Sequence, residues 1–500
     1  MTSATYDLLI VGGGINGAGI ARDAAGRGIR SLLVDQGDFG GATSSASTKL
    51  VHGGLRYLEH YEFRLVAESL AEREVMLRLA PQLVTPLRFV MPHVPTLRPA
   101  WMIRTGLWMY DHIGGRSSLP GSSGVALRAE GFGAGLKPEL KRGFLYSDAR
   151  VDDARLVILN LRSAVAHGAT VMPRTRLIAA RREAGIWHAT LAAPDGGRQQ
   201  EVTARLLVNA AGPWVDKVLE HTGGNMGNAQ VRLVKGSHIV VPRIHDGDHA
   251  YILQNTDKRI VFVIPYFDRW SLIGTTDVYV DSADAGWEID REEIRYLIEA
   301  ANHYLIRPLA ESDIVWSFAG IRPLYDDGKG DPAAITRDYT LKLDERDGAV
   351  ELAVFGGKLT TYRKLAETVL ERLAPWLNTA RGPWTASEPL PGGDFDPARR
   401  EEAIRQLRES YPRLPAETLA ALFSRHGTLA RVLLGEARTP ADLGIHFGGG
   451  LYRLEVAHFV RNEWATTADD ILWRRTKTGL AMTSEQRESF IRWFSVNAGN

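Results

Sequence analysis

At 500 residues the chain is longer than one hydrophobic core usually supports, so two or three domains are expected. A net charge of +1 argues against a general nucleic-acid binder, and the absence of cysteine excludes disulfides, thiolate nucleophiles and Cys-ligated zinc or iron–sulfur clusters; no metal centre is expected. The apolar start reads as a strand rather than a signal peptide, and no run of about 18 apolar residues offers a membrane span.

Asp7 to Val11 predicts a buried strand that stops at Gly12-Gly13-Gly14-Ile15-Asn16-Gly17. Ala18 to Gly28 has helical character, and a second apolar run, Ser31 to Val34, ends at Asp35. Strand, Gly-x-Gly-x-x-Gly, helix, strand and terminal acid form a dinucleotide fingerprint. Gly12 permits the tight turn, Gly14 lets backbone approach a pyrophosphate, and Gly17 lets helix and strand pack closely. Asp35 is expected to accept from the adenosine ribose. Amides at the helix N-terminus, around Asn16, offer positive potential to phosphates.

The glycines alone do not separate FAD from NAD. The run that follows, "FGGATSSASTKLVHGG", favours a flavin, whose ribityl chain and pyrophosphate need donors along their length. Ser44, Ser45, Ser47 and Lys49 are placed to supply them, with Thr43, Leu50 and His52 in the same stretch. Gly53 and Gly54 would let backbone approach the flavin ring. A polar surface loop is the alternative.

Helical spacing continues from Leu58 to Leu79, until Pro81 and Pro86, and again from Val151 to His167. Leu206 to Ala210 predicts a strand that leads into Ala211 and Gly212, a third backbone approach to the cofactor. Residues 231–280 are rich in strand signals and predict long antiparallel strands beneath a substrate. Ala349 to Phe355 predicts a strand, Gly356-Gly357-Lys358 a turn, and Leu359 to Leu373 a helix. "RGPWTASEPLPGGDFD" reads as a linker. Helices are expected near 398–409, 415–424, 427–434, 451–461, 464–477 and 484–495.

Several blocks in this sequence, "IVGGGINGAGIARDAAGRG", "ATSSASTKLVHGGLRYLE", "LVNAAGPWVD", "KGSHIVVPR", "GIRPL" and "FGGKLTTYRKLAE" among them, resemble the respiratory, FAD-dependent glycerol-3-phosphate dehydrogenases. More distantly they are similar to the amino-acid oxidase and sarcosine oxidase flavoproteins. The resemblance runs from about residue 5 to about 480, with Asp35 standing where glutamate is common. It implies an α/β fold: an FAD-binding Rossmann-like domain of the glutathione-reductase/amino-acid-oxidase type, an inserted antiparallel-sheet cap and a C-terminal all-helical domain. The expected boundaries are 1–90 with 150–225 and 330–380 for the FAD domain, 91–149 with 226–329 for the cap, 381–397 for the linker and 398–500 for the helical domain.

The implied chemistry removes a hydride from the carbinol carbon of glycerol 3-phosphate and a proton from its hydroxyl, giving dihydroxyacetone phosphate. Arg322 in "FAGIRPL" is the first candidate for the phosphate, against a surface arginine pairing with Asp326 or Asp327. Arg56 is the second, with Tyr57 beside it. His238 is the candidate general base, against a satisfied core histidine, and His52 is the rival. Lys358, with Gly357, Leu359 and Thr360 at a helix N-terminus, is expected at the flavin's pyrimidine edge and near the substrate phosphate.

The family's usual electron acceptor is membrane quinone. Between Arg88 and Arg142 the chain carries eight Lys/Arg against three Asp/Glu, around "RPAWMIRTGLWMYDHIG". Basic charge beside Trp101, Met102, Trp108, Met109 and Tyr110 suits peripheral attachment to a membrane surface, and the expected location is cytoplasmic, on the inner face of the cell membrane. A helix buried in the cap is the alternative. Tryptophans at 464, 473 and 493 motivate a homodimer through the C-terminal helices. An oxygen-using oxidase and a non-catalytic flavin-binding regulator remain competing functions.

Overall fold

The computed structural model describes residues 5–227, 229–257, 259–326, 338–377, 379 and 381–497. Strand Thr5–Val11 pairs in parallel with Ser31–Val34 on one side and Gln199–Asn209 on the other, and Gln199–Asn209 pairs in parallel with Ala349–Phe355. Ser31–Val34 and Ala349–Phe355 are buried at every position, as strands covered on both faces must be.

Alternate residues serve the two faces. Leu8 and Ile10 pack under the helices Ile15–Gly26, Asp153–Ala166 and Tyr362–Leu373. Leu9 and Val11 pack against Trp187 and Leu191 of an antiparallel ribbon on the other side. Close helix contact depends on glycine: a Cβ on Gly19 would sit 2.7 Å from the Tyr362 ring.

The second sheet is the predicted floor. Gln230–Pro242 runs antiparallel to Trp270–Gly274 and, along most of its length, to Trp316–Asp326. Helices Phe63–Leu79 and Ala100–Ile113 cover one face through Val66, Leu70, Ile103 and Leu107, and Arg291–Asn302 covers the other. One of its interior strands corrects a boundary. Strand Val84–Pro92 pairs with Arg142–Val151 in this sheet, so a division at residue 90 falls inside a cap strand.

The helix expected from Leu58 is also divided. Leu55–His60 forms a 3-10 turn ended by Tyr61 at φ 59°, and the α-helix begins at Phe63. The proline- and glycine-rich stretch is a packed strap: Trp384 Nε1 donates to Asp23 O (3.1 Å), Arg22 Nη2 to Glu388 O (2.6 Å) and Leu390 N to Leu79 O (2.8 Å).

Helices Arg400–Ser410, Ala416–His426, Ala430–Leu434, Arg453–Asn462 and Ser484–Asn497 build the C-terminal domain. It also carries a short hairpin, His446–Gly448 paired with Leu451–Tyr452, and within 464–477 the helical part covers 468–475, with Asp470–Arg475 as a π-helix. The domain docks on the body through buried ion pairs, Arg155 to Glu463 and Arg475 to Asp38. The three tryptophans pack internally: Trp464 on Phe39, Trp473 on Trp316 and Trp493 on Phe447.

Candidate active site

A cavity of about 1020 Å³ opens at the carboxyl ends of the parallel strands, beside Val11, Val34 and Ala210, and extends to the second sheet at Gly236, His238, Gly320 and Arg322. This is where open α/β sheets hold ligands. Gly12, at φ +111°, approaches so closely that its Cβ would lie 2.4 Å from Ala210 O, and a Cβ on Gly17 would lie 1.9 Å from Gly12 O. Only glycine fits either position. Asp35 borders the cavity and braces its loops, accepting from the amides of Gly13 (2.6 Å) and Gly37 (2.7 Å); burial pushes its carboxyl up.

The loop after Asp35 folds back over the helix start. Ser44 Oγ accepts from the Ile15 amide (2.9 Å), and Thr43 Oγ1 donates to Ile321 O (2.6 Å), next to Arg322. Asn16 Nδ2 donates to Gly356 O (3.2 Å), which ties the first helix to the Gly356-Gly357-Lys358 turn across 340 residues of sequence. Asn16 Oδ1 is buried with no hydrogen-bond partner. A Cβ on Gly357 would strike the Asn16 side chain at 2.7 Å. The glycine-lined approach, the helix N-terminus and the residues Thr43, Ser44, Ser47 and Thr48 along one cavity suit a flavin dinucleotide, with Ser47 Oγ itself donating to Asp153 Oδ2 (2.7 Å).

Gly12, Gly14, Asn16, Asp35, Thr43, Ser44, Ser47, Leu50 and His52 line the cavity, as do Tyr57, Ala211, Gly212, Gly357, Lys358, Leu359 and Thr360. Six expected residues stand behind or beside that wall. Gly17 packs under Gly12. Lys49 is buried in an ion pair with Asp153 (2.9 Å) and also donates to the Ser45 carbonyl (2.9 Å). The Gly53 amide donates to Tyr110 Oη (2.8 Å), and Gly54 turns the chain at φ +78°. Arg56 sits half-buried on the 3-10 turn, outside the lining.

At the far end His238 is buried, its Nε2 3.0 Å from Thr48 Oγ1 and its ring stacked on Phe318 at 4.8 Å. Burial, then the charges of Lys49 and Arg322, hold the imidazole well below its usual range. Burial, then Lys358, brings His52 down to about 4. Arg322 crosses the neighbouring strand at Gly236, where any Cβ would lie 2.1 Å from Nη2. It pairs with Asp277 and donates to Thr275 Oγ1 (3.0 Å). Asp326 pairs instead with Arg232 (2.8 Å), and Asp327 lies outside the described residues. Lys358 Nζ lies 3.8 Å from the centre of the Tyr57 ring.

Sequence reasoning passed over Thr48, Asp277, Arg174 and Arg474. Thr48 stood inside the serine-rich run, but Asp277 and Arg474 carry no local signal. Away from the cavity, His426, His458 and Glu463 bring potential metal ligands together. Glu463 is already forked by Arg155, whose charge opposes a bound cation.

A family model described as FAD dependent oxidoreductase matches residues 7–363, and one described as the C-terminal domain of alpha-glycerophosphate oxidase matches residues 383–493. The fold and cavity are thus those of an FAD-dependent oxidoreductase. The aerobic glycerol-3-phosphate dehydrogenase of Escherichia coli (strain K12) is 52% identical over 98% of this chain and 97% of its own length. The D-erythritol 1-phosphate dehydrogenase of Brucella abortus (strain 2308) is 48% identical over 98% of this chain and 98% of its own. The solved glycerol-3-phosphate dehydrogenase from Bacillus halodurans, complexed with FAD, superposes with a TM-score of 0.75 at 26% identity, covering 100% of this chain and 95% of that one. The chain belongs to the FAD-dependent glycerol-3-phosphate dehydrogenase family.

Proposed function

We propose that the chain oxidises sn-glycerol 3-phosphate to dihydroxyacetone phosphate and passes the electrons to a membrane quinone. The observation that carries this function is the meeting of Arg322, Lys358, Tyr57 and His238 in the same cavity as the dinucleotide fingerprint. FAD, when bound, supplies the two-electron acceptor for the hydride that leaves the carbinol carbon.

The residues supply the rest. Arg322, held by Asp277 and Thr275, offers a planar fork to a phosphate dianion, and Lys358 adds a second positive charge. His238 is neutral at pH 7 because its imidazole is depressed, so it is ready to take the hydroxyl proton. Thr48 fixes the ring. When FAD binds, Gly12, Gly14 and the first helix would hold the pyrophosphate, Asp35 the ribose, and Gly357 to Thr360 the pyrimidine edge. Steady-state assay with an artificial electron acceptor tests the substrate: glycerol 3-phosphate should be consumed with stoichiometric dihydroxyacetone phosphate. A large preference for D-erythritol 1-phosphate would replace the substrate while keeping its phosphate and secondary alcohol.

The match of the C-terminal domain to an oxidase domain favours one second function, transfer to oxygen. Rapid oxygen uptake by the purified enzyme with no other acceptor would select it. Attachment to the inner face of the cell membrane is supported by helix Ala100–Ile113. Its Ile103, Leu107 and Tyr110 are buried, whereas Trp101 (68%), Trp108 (61%) and Met102 (45%) face outward. Among the described residues no helix is long and apolar enough to cross a membrane.

A further inference from the structure

We infer that the C-terminal domain is part of the cofactor site: its segment 467–474 closes the adenosine end of the FAD cavity, so that domain docking and cofactor retention are linked. This rests on FAD lying in the cavity with its ribose at Asp35.

The chain after strand Ser31–Val34 lines that end with Asp35, Gln36, Gly37 and Asp38. Arg174 and, from the C-terminal domain, Thr467, Asp470 and Arg474 complete the lining there. Arg474 Nε donates to Asp38 Oδ2 at 2.5 Å across 436 residues of sequence. Its Nη2 donates to Asp470 Oδ1 at 2.5 Å. Asp470 also accepts from Arg174 (3.0 Å) and from the amides of Thr466 (2.8 Å) and Thr467 (2.9 Å). Burial pushes the Asp470 carboxyl up, but the amides and guanidiniums prevail and hold it at about 2. One buried carboxylate therefore bridges two guanidiniums, one from each domain, beside the ribose-binding acid.

Neighbouring arginines divide the work. Arg475 is fully buried, forks onto Asp38 at 2.7 Å and lies outside the cavity lining; it docks the domain. Arg474 keeps 19% of its side chain exposed and lines the cavity. A guanidinium presents a flat cationic face on which a purine stacks and N–H groups for ring nitrogens and ribose hydroxyls. A ligand that touches both domains favours the docked state by its own binding free energy.

Flavin release from the diluted holoenzyme, followed by flavin fluorescence, tests the inference in Arg474→Ala, together with FMN binding and melting of the apoprotein. FAD affinity should fall about ten-fold or more and FMN affinity should stay within about two-fold, whatever melting temperature the apoprotein loses with the Arg474–Asp38 pair. FAD affinity within about two-fold of wild type overturns the inference, as does an equal loss for FAD and FMN with a lower melting temperature, which marks general undocking. A wild type that binds FAD no tighter than FMN shows instead that adenosine is not held here, which overturns the FAD placement as well.

Discussion

Thr48 and His238, 190 residues apart in sequence, meet at the inner end of the cavity, with Thr48 Oγ1 3.0 Å from His238 Nε2. A general base needs one nitrogen engaged and the ring fixed, and this hydroxyl is the partner that does both. Replacing Thr48 by Val should slow anaerobic flavin reduction about 10-fold or more with little change in KM, a modest share of the ~10²–10⁴-fold that positioned bases supply. Thr48→Ser should recover most of it. An unchanged rate in Thr48→Val would remove Thr48 from the mechanism.

Burial and the nearby charges of Lys49 and Arg322 lower the His238 imidazole. A lowered histidine is neutral, and competent as a base, above pH 6.5 and becomes protonated only further into acid. The ratio of wild-type to His238→Asn kcat/KM should therefore be about 10²–10⁴ and flat from pH 6.5 to 8, declining below that range. The substrate phosphate titrates near pH 6 in both enzymes and cancels in the ratio. A decline beginning above pH 6.5 would contradict the assignment.

Arg322 donates to Thr275 and pairs with Asp277. Arg322→Ala should raise KM for glycerol 3-phosphate about 10- to 150-fold, from the loss of ~1.5–3 kcal/mol in charge-assisted hydrogen bonding. Turnover of glycerol itself, which has no phosphate, should change far less. Equal effects on both compounds would place Arg322 away from the phosphate.

Lys49 and Asp153 form a buried pair, with side chains 5% and 0% exposed. Lys49→Met leaves a carboxylate uncompensated in the interior and should cost roughly 3–5 kcal/mol in urea unfolding. Lys49→Met with Asp153→Leu should regain much of that loss. A single variant as stable as wild type would show that the pair contributes little.

The outward tryptophans at 101 and 108 point to anionic lipid. The protein should cosediment with anionic liposomes at low salt, and Trp101→Ala with Trp108→Ala should reduce the bound fraction severalfold without altering dye-linked activity. Equal sedimentation of the double variant would move the contact surface elsewhere.

Local order explains what the sequence disclosed. Gly12, Gly14, Gly17 and Asp35 do their work within one strand–turn–helix–strand unit, so spacing alone revealed the fingerprint and the parallel sheet. Gly357 to Thr360 were legible for the same reason, as a glycine turn that opens a helix. Direction was harder. Ser47 and Lys49 are two residues apart in one loop and both bond to Asp153, yet Ser47 still lines the cavity while Lys49 is buried behind it. Arg56 shares the loop but leaves the wall because a 3-10 turn replaces the expected helix start. Strand Val84–Pro92 joined the cap because its partner, Arg142–Val151, lies far along the chain. Arg474 reaches Asp38 only after a whole domain has docked, and no pattern along the sequence encodes such a contact.

Anaerobic titration with glycerol 3-phosphate tests the central claim most directly, because it asks whether one cavity holds flavin and phosphorylated alcohol together. The yellow absorbance of the bound flavin should bleach fully with substrate and remain unchanged with the same concentration of glycerol. A purified protein that carries FAD and keeps its oxidised spectrum in the presence of glycerol 3-phosphate would contradict it.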